Sequence, residues 1–234
     1  NELLIALGSN DYGQLTGAPT GYAFDTETGA IVNAGDLAVT SGQSLTLLGG
    51  QVINTGQLAA SGGEVLVMAV PGENRVRLSQ DGSLLGLELE TLPDAAPTAA
   101  FTPTTVPALL TGSGALGMAT DITVNPDGTV SLSGSSLQIP TDAGTAIVSG
   151  QLEADSGNIG VLGEQIALVG ATVDASGDAG GGTILIGGDE LGNGAVPNAA
   201  TTIIDENSVI QADARDTGNG GKIVAWGTNL LRSA

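Results

Sequence analysis

The chain contains no cysteine and no histidine, and among its 234 residues are only one tryptophan, two tyrosines and two phenylalanines. Each absence removes a class of chemistry. Without cysteine there is no disulfide framework and no thiol nucleophile. Without histidine, Ser-His-Asp triads, Cys-His pairs and His-ligated zinc centres are excluded. With so few aromatics, any interior must be filled by Val, Ile, Leu and Ala. Cations are scarce too: Arg75, Arg77, Arg215, Lys222 and Arg232 stand against 25 acidic residues, a net charge of −20. A phosphate-binding face needs clustered cations, so the balance argues against nucleic acid as a partner and against an anionic membrane surface. No run of 18 apolar residues exists, so membrane insertion as a helix is not expected. The opening residues 1–7 are apolar but short and lack a basic flank, and do not read as a signal peptide. The chain begins without Met and ends just after a repeat burst, so a piece of a longer protein is expected.

Glycine, in contrast, is abundant at 38 residues. It punctuates short apolar bursts, most clearly in residues 149–188, SGQLEADSGNIGVLGEQIALVGATVDASGDAGGGTILIGG. Leu152, Ile159 with Val161, Ile166 with Leu168, Val173, and Ile184 with Ile186 are separated by Gly, Ser, Asp, Asn and Ala. Within a burst the apolar residues are two apart, the period of a strand. Three bursts and their corners take roughly 20 residues, the length of a solenoid repeat. The repeat is visible inside the chain: Ile53-Asn-Thr-Gly-Gln-Leu58 matches Ile147-Val-Ser-Gly-Gln-Leu152, and Val65 and Val67 match Ile159 and Val161, all at an offset of 94 (147 − 53). A second set of matches joins Leu152-Glu-Ala-Asp155, Val173-Asp-Ala-Ser176 and Ile210-Gln-Ala-Asp213. The pattern predicts an all-β chain folded as a right-handed parallel β-helix, a solenoid of three-sided coils. The inward residues are expected to be Leu58, Val65, Val67, Leu152, Ile159, Val161, Ile166, Leu168, Val173, Ile184, Ile186 and Ile223. Gly serves the corners, where the backbone approaches closely or needs φ > 0.

In chain order, one domain over 1–234 is expected. Residues 1–30, with Tyr12, Tyr22 and Phe24, read as a cap over the first coil or as a sugar-stacking surface. Residues 31–85 read as coils, including Val76-Arg-Leu78, and residues 83–90 as one more strand after the Asp81-Gly82 turn. Pro93, Pro97, Pro103 and Pro107 make 91–120 an excursion from the stack. Coils return at Asp121 and run through the Asn125-Pro-Asp-Gly128 turn, with a second excursion at 189–202.

Several stretches resemble the repeat region of filamentous-haemagglutinin-like exoproteins of the two-partner secretion type, cyanobacterial versions above all. They are SGQ-x-L-x-L-x-GG at 41–50, PGEN-x-VR-x-SQ at 71–80, GGGT-x-LIGGD at 180–189 and GNGGK-x-VAW at 218–226. The likeness spans most of the chain. It implies a β-helix exported through an outer-membrane transporter, a place in the secreted fraction or on the outer cell surface, and an adhesin role. The Asn-Pro-Asn-Gly signature of the family's secretion domain is missing; Asn125-Pro126-Asp127-Gly128 only half matches and lies mid-chain. The chain is therefore expected to belong to the shaft downstream of that domain.

Candidate chemistry is thin. Two-carboxylate glycoside hydrolysis is formally open, but five scattered cations are a poor match for holding an acidic polysaccharide. Arg75 and Arg77 share a strand face and pair most simply with acids such as Glu73 or Asp81. Calcium is the sharper idea, because Asp155, Asp174 and Asp213 fall at corresponding corners with Asp178, Asp189 and Glu190 nearby, and hard cations take several oxygens. The glycine-rich nonapeptide of calcium-binding β-rolls is absent, however; Gly181-Gly182-Thr183-Ile184 breaks it at the fourth position. Acids at solvated turns are the plainer reading. The expected function is a non-catalytic shaft segment of a surface adhesin or extracellular fibre, with self-association along the axis or side by side and cell-surface or matrix glycans as partners. The alternative is a carbohydrate-active β-helix enzyme or polysaccharide-binding module.

Overall fold

Short strands, mostly of three to six residues, follow one another with Gly, Asn or Asp at many of the joints. The computed structural model describes residues 29–71, 144–193 and 196–233, with the strands Leu3–Ile5, Gly21–Ala23, Asn74–Arg77, Glu88–Thr91, Asp121–Val124, Val130–Ser133 and Gln138–Ile139. Tyr12, Phe24, the Asp81-Gly82 and Asn125–Gly128 turns and residues 92–120 of the first excursion lie outside the described residues.

Three parallel sheets make up the body of the fold. The chain visits them in turn. The first coil is Ala30–Asn33, Asp36–Ala38 and Ser44–Gly49, and the second is Gln51–Asn54, Gln57–Ala59 and Glu64–Ala69. The third is Thr145–Val148, Gln151–Glu153 and Asn158–Leu162. Gln165–Leu168, Thr172–Asp174 and Thr183–Ile186 form the fourth, and Thr201–Ile204, Val209–Gln211 and Lys222–Ala225 the fifth. Leu230–Ser233 adds a sixth strand to the first sheet. The architecture is all-β and fits a parallel β-helix, with a single 3-10 turn, Glu190–Gly192, among the described residues.

The period of two puts like residues in columns. In the second sheet Leu37, Leu58, Leu152, Val173 and Ile210 stand in register, and in the third Leu45, Val65, Ile159, Ile184 and Ile223. Ala60, Ala154, Ala175 and Ala212 add small side chains to the same core. Every residue expected inward from Leu58 to Ile186 is buried in that core. Fully burying a Val, Leu or Ile contributes about 1.5–3 kcal/mol, so the columns are the main favourable term. Ile223 shares their register but is 46% exposed, because no further coil covers it in the third sheet.

Two readings need correction. The 94-residue match is a single step of the stack: Ile53 is bonded beside Ile147, Leu58 beside Leu152 and Val65 beside Ile159. Other steps are 21 residues (51 − 30) or 20 (165 − 145), and the five described strands between Ala69 and Thr145 belong to none of the three sheets. The described strands within the stretches expected as coils at 76–78 and 122–139, and as a further strand at 83–90, belong to two other sheets. Asn74–Arg77 pairs antiparallel with Glu88–Thr91 and with Gly21–Ala23, and Val130–Ser133 pairs antiparallel with both Asp121–Val124 and Gln138–Ile139. Period two is common to both kinds of strand, and the Asp-Gly pairs at 81–82 and 127–128 are hairpin signals as much as corner signals.

The coils are also not solvated all round. On the outer side of the third sheet, Leu66, Met68, Leu162 and Leu185 are buried with Val70, Val76 and Val196. Val76 comes from the antiparallel hairpin and Val196 from the chain between the fourth and fifth coils, so both departures lay an apolar residue on this face. Ile53, Ile147, Ala167 and Ile203 are likewise buried on the outer side of the first sheet. Runs such as Val65-Leu-Val-Met-Ala-Val70 are the mark of a strand buried on both faces.

At the corner into the third sheet, Gly63, Gly157, Gly182 and Gly221 stack so closely that a Cβ on each would overlap backbone of the preceding coil, the carbonyl of Gly63 in the case of Gly157. Gly157→Ala should therefore destabilise by about 3 kcal/mol or more, as overpacking against rigid backbone does. Gly35→Ala, where the nearest atom would be 4.0 Å away, should be close to neutral. Denaturant midpoints of the two variants check both expectations.

Candidate functional site

With the outer sides of the first and third sheets buried in the middle coils, most of the polar side chains among the described residues that could do chemistry there lie on the second sheet and its corners. Its strands are three residues long, so each presents only two outward positions. One column carries Asp36, Gln57, Gln151, Thr172 and Val209, and the other Ala38, Ala59, Glu153, Asp174 and Gln211. Gln57 Nε2 donates to Glu153 Oε2 at 3.0 Å across neighbouring coils.

The corner that follows holds most of the calcium candidates. Main-chain bonds put Ser61, Asp155, Ser176 and Asp213 in succession there. Asp155 and Asp213 thus correspond, as the sequence suggested, but Asp174 does not: it stands two residues earlier, beside Glu153. Arg215, from the next turn of chain, reaches back across two coils. Its Nη1 donates to Asp155 Oδ1 at 3.0 Å and its Nη2 to Asp174 Oδ2 at 3.2 Å. Asp155 Oδ2 also accepts from the Ser61 hydroxyl at 3.1 Å, and Asp174 Oδ1 from the Ser176 N–H at 2.7 Å. A guanidinium therefore occupies the place between two carboxylates that a metal would need. Burial works to raise the Asp174 pKa, but the Ser176 hydrogen bonds and the Arg215 charge outweigh it and hold the carboxyl below its ordinary value. The Asp155 hydrogen bond leads the effects that raise Arg215.

Asp189 lies elsewhere, at the start of the second excursion. Lys222 Nζ donates to its Oδ1 at 2.8 Å and lies 3.7 Å from Glu190 Oε2. The Lys222 hydrogen bond first, then the Glu190 N–H, depress the Asp189 pKa. Asp178 and Asp213 are exposed. Among the described residues neither carboxylate joins an ion pair, and no three carboxylates converge as a metal-holding group. The Arg75 and Arg77 side chains lie outside the described residues, as do Glu73 and Asp81; the strand register sets Arg75 opposite Glu90 and Arg77 opposite Glu88.

Sequence reasoning overlooked three groups. Arg215 and Lys222 sit 60 and 33 residues from the acids they meet, a separation legible only once the coil register is known. Asp205 accepts from Gly170 N–H at 2.9 Å and from the Ser208 hydroxyl at 2.6 Å. The spacing Asp205-x-x-Ser208 was a local signal for such a turn. Trp226 fastens the second excursion: a Cβ on Gly192 would come within 3.0 Å of its indole. Asn198 Nδ2 donates to Gly192 O at 2.8 Å, and the Thr202 hydroxyl to Trp226 O at 2.6 Å.

Comparison with protein-family models, with curated proteins and with solved structures finds no match for this chain. The geometry alone carries the functional reading.

Asp174, Asp189 and Asp205 all have lowered pKa values; at Asp205 burial opposes the shift, and hydrogen bonds from Ser208, Gly170 and Asn207 overcome it. A carboxyl with a lower pKa folded than unfolded binds fewer protons in the folded state. The stability it gives is complete above the ordinary carboxylate pKa and is lost as pH falls through the lowered folded value. With no histidine to titrate, thermal melts should be flat near neutrality and fall only below about pH 4. Asp205→Ala should lower the melting temperature more than Arg215→Ala, because it removes the acceptor of several turn hydrogen bonds rather than a pair of solvent-screened ion contacts. Millimolar calcium should leave the melting temperature of the unmodified protein in place; a rise of about 10 °C or more would require a native site of real affinity.

Proposed function

We propose that the chain is a length of shaft from a secreted surface adhesin or extracellular fibre, a right-handed β-helix that spaces and displays other parts of the molecule and performs no catalysis. The observation that carries this reading is the use of the carboxylates. Asp155, Asp174, Asp189 and Asp205 are spent on Arg215, Lys222 and turn N–H groups, while one apolar core runs unbroken through five coils. Right-handedness follows from the near-universal hand of parallel β crossovers. Export unfolded through an outer-membrane transporter suits a chain with no cysteine to crosslink on the way, and a net charge of −20 keeps an edge-rich fold soluble.

One observation favours a second reading, a polysaccharide-binding module. The second sheet's outward columns set three amides, a hydroxyl and a carboxylate (Gln57, Gln151, Gln211, Thr172 and Glu153) at the spacing of the coils, about 4.8 Å. Such groups suit a hydroxyl-rich polymer.

Three measurements separate these readings from each other and from an enzyme. Cells lacking the protein should attach or aggregate less than cells that display it. Purified protein incubated with neutral and acidic polysaccharides should release no new reducing ends and no unsaturated products; release of either overturns the shaft. Saturable binding to a soluble polysaccharide, abolished by Gln151→Ala with Glu153→Ala, would select the second reading.

A further inference from the structure

The corner between Val209–Gln211 and Lys222–Ala225 contains Gly218-Asn219-Gly220-Gly221. Two of its three glycines are demanded by the fold. Gly218 has φ +96°, and a Cβ there would overlap the Ala179 carbonyl; a Cβ on Gly221 would overlap the Gly182 carbonyl. Gly220 is different. Its φ is not in the left-handed range, and an added Cβ would meet only Ala212 O, at an ordinary 3.6 Å. Packing gives no reason for glycine at this position.

What Gly220 does leave is an open nitrogen beside an amide. Residues 215–223 are exposed throughout. The flanking main chain is pinned, with Thr217 N–H on Asp178 O at 2.8 Å, Gly181 N–H on Asn219 O at 3.0 Å and Gly221 N–H on Ala212 O at 2.6 Å. Among the described residues, neither the Gly220 N–H nor the Asn219 side chain makes a hydrogen bond.

We propose that Asn219-Gly220 is a self-modification site at which the folded protein converts Asn219 to aspartate and isoaspartate through a succinimide. The Gly220 nitrogen gives up its proton and attacks the Asn219 side-chain carbonyl carbon. A C–N bond forms, the amide C–N bond breaks, and nitrogen leaves as ammonia. Water then opens the imide at either carbonyl, giving Asp or isoAsp. The net change is one water taken up and one ammonia released, with no oxidant or other reactant. A substituent on the Gly220 Cα would hinder the attack, which gives that glycine its consequence. The isoaspartyl product lengthens the main chain by a methylene between two pinned points and adds a negative charge to a corner that already carries Asp178, Asp213 and Asp216.

The test is incubation of the whole folded protein in mildly alkaline buffer, with peptide mapping by mass spectrometry and separation of the Asp and isoAsp peptides. Asn219 should convert at least about tenfold faster than Asn207, whose amide is tied to Asp205 at 3.4 Å, and within about tenfold of its own rate in urea, because neither reacting group has a hydrogen bond to break first. Gly220→Ala should keep the melting temperature and slow conversion at Asn219 by about tenfold or more, in line with the ordinary contact its methyl would make. Conversion no faster at Asn219 than at Asn207, protection in the folded protein far beyond tenfold, or an undiminished rate in Gly220→Ala would each overturn the proposal.

Discussion

Parallel strands bonded coil to coil lie about 4.8 Å apart, and this distance governs the rest of the molecule. Along a strand it leaves side chains room to point in or out. At the corner into the third sheet, where the main chain of one coil passes over the main chain of the next, it leaves none. Gly63, Gly157, Gly182 and Gly221 meet this requirement, and Gly56 and Gly150 do the same at the corner after the first sheet. With the corners able to close, like residues fall above like, and Leu58, Leu152 and Val173 make one column instead of three separate contacts. The glycines thus add no buried area themselves, yet the register of every apolar column depends on them.

A narrow prism has a large outer surface for its core, and this chain buries much of it. The hairpin carrying Val76 and the segment carrying Val196 both settle on the outer side of the third sheet. That makes them covers of an apolar wall, the plainer of the two roles an insertion in a solenoid can take. The polar second sheet is the exception, and its acids meet Arg215 rather than each other. In a chain with so few cations, spending two of them at 215 and 222 on inter-coil contacts points to the same economy: charge is used to fix the last coils in place.

Much of this was legible from residue spacing. The alignment of Leu152, Val173 and Ile210 is the observed register, and the inward set was recovered nearly whole. The outer burial was not, because Leu66, Met68 and Leu185 alternate with inward residues and look like the interior of any hydrophobic strand. Asn74–Arg77 and Glu88–Thr91 pair antiparallel although their spacing reads as coil strands, since a strand's period says nothing about its partner's direction. Asp155, Asp174 and Asp213 read as acids of one kind of corner, yet the string match of Leu152–Asp155 with Val173–Ser176 already sets Asp174 against Glu153, and the ladder keeps that alignment. The cation contacts escaped because Arg215 meets residues one and two coils below, across sequence separations that mean nothing until the coils are drawn.

The long step between the second and third coils has a consequence for how the molecule is made. Closing a loop of 94 residues instead of 21 adds only about 1 kcal/mol of entropy cost, so the finished fold tolerates it easily. Time is another matter. A chain that emerges from one end completes its second coil and then delivers the whole departing segment before the strand that stacks on that coil appears. During this interval Val52, Leu58 and Val65 present an open platform to solvent, and the hairpin that covers the side wall is delivered before Thr145 arrives to cover the top. In that order of delivery Val76, which packs against Leu66 and Met68, reaches the second coil's flank before Thr145–Val148 reaches its top.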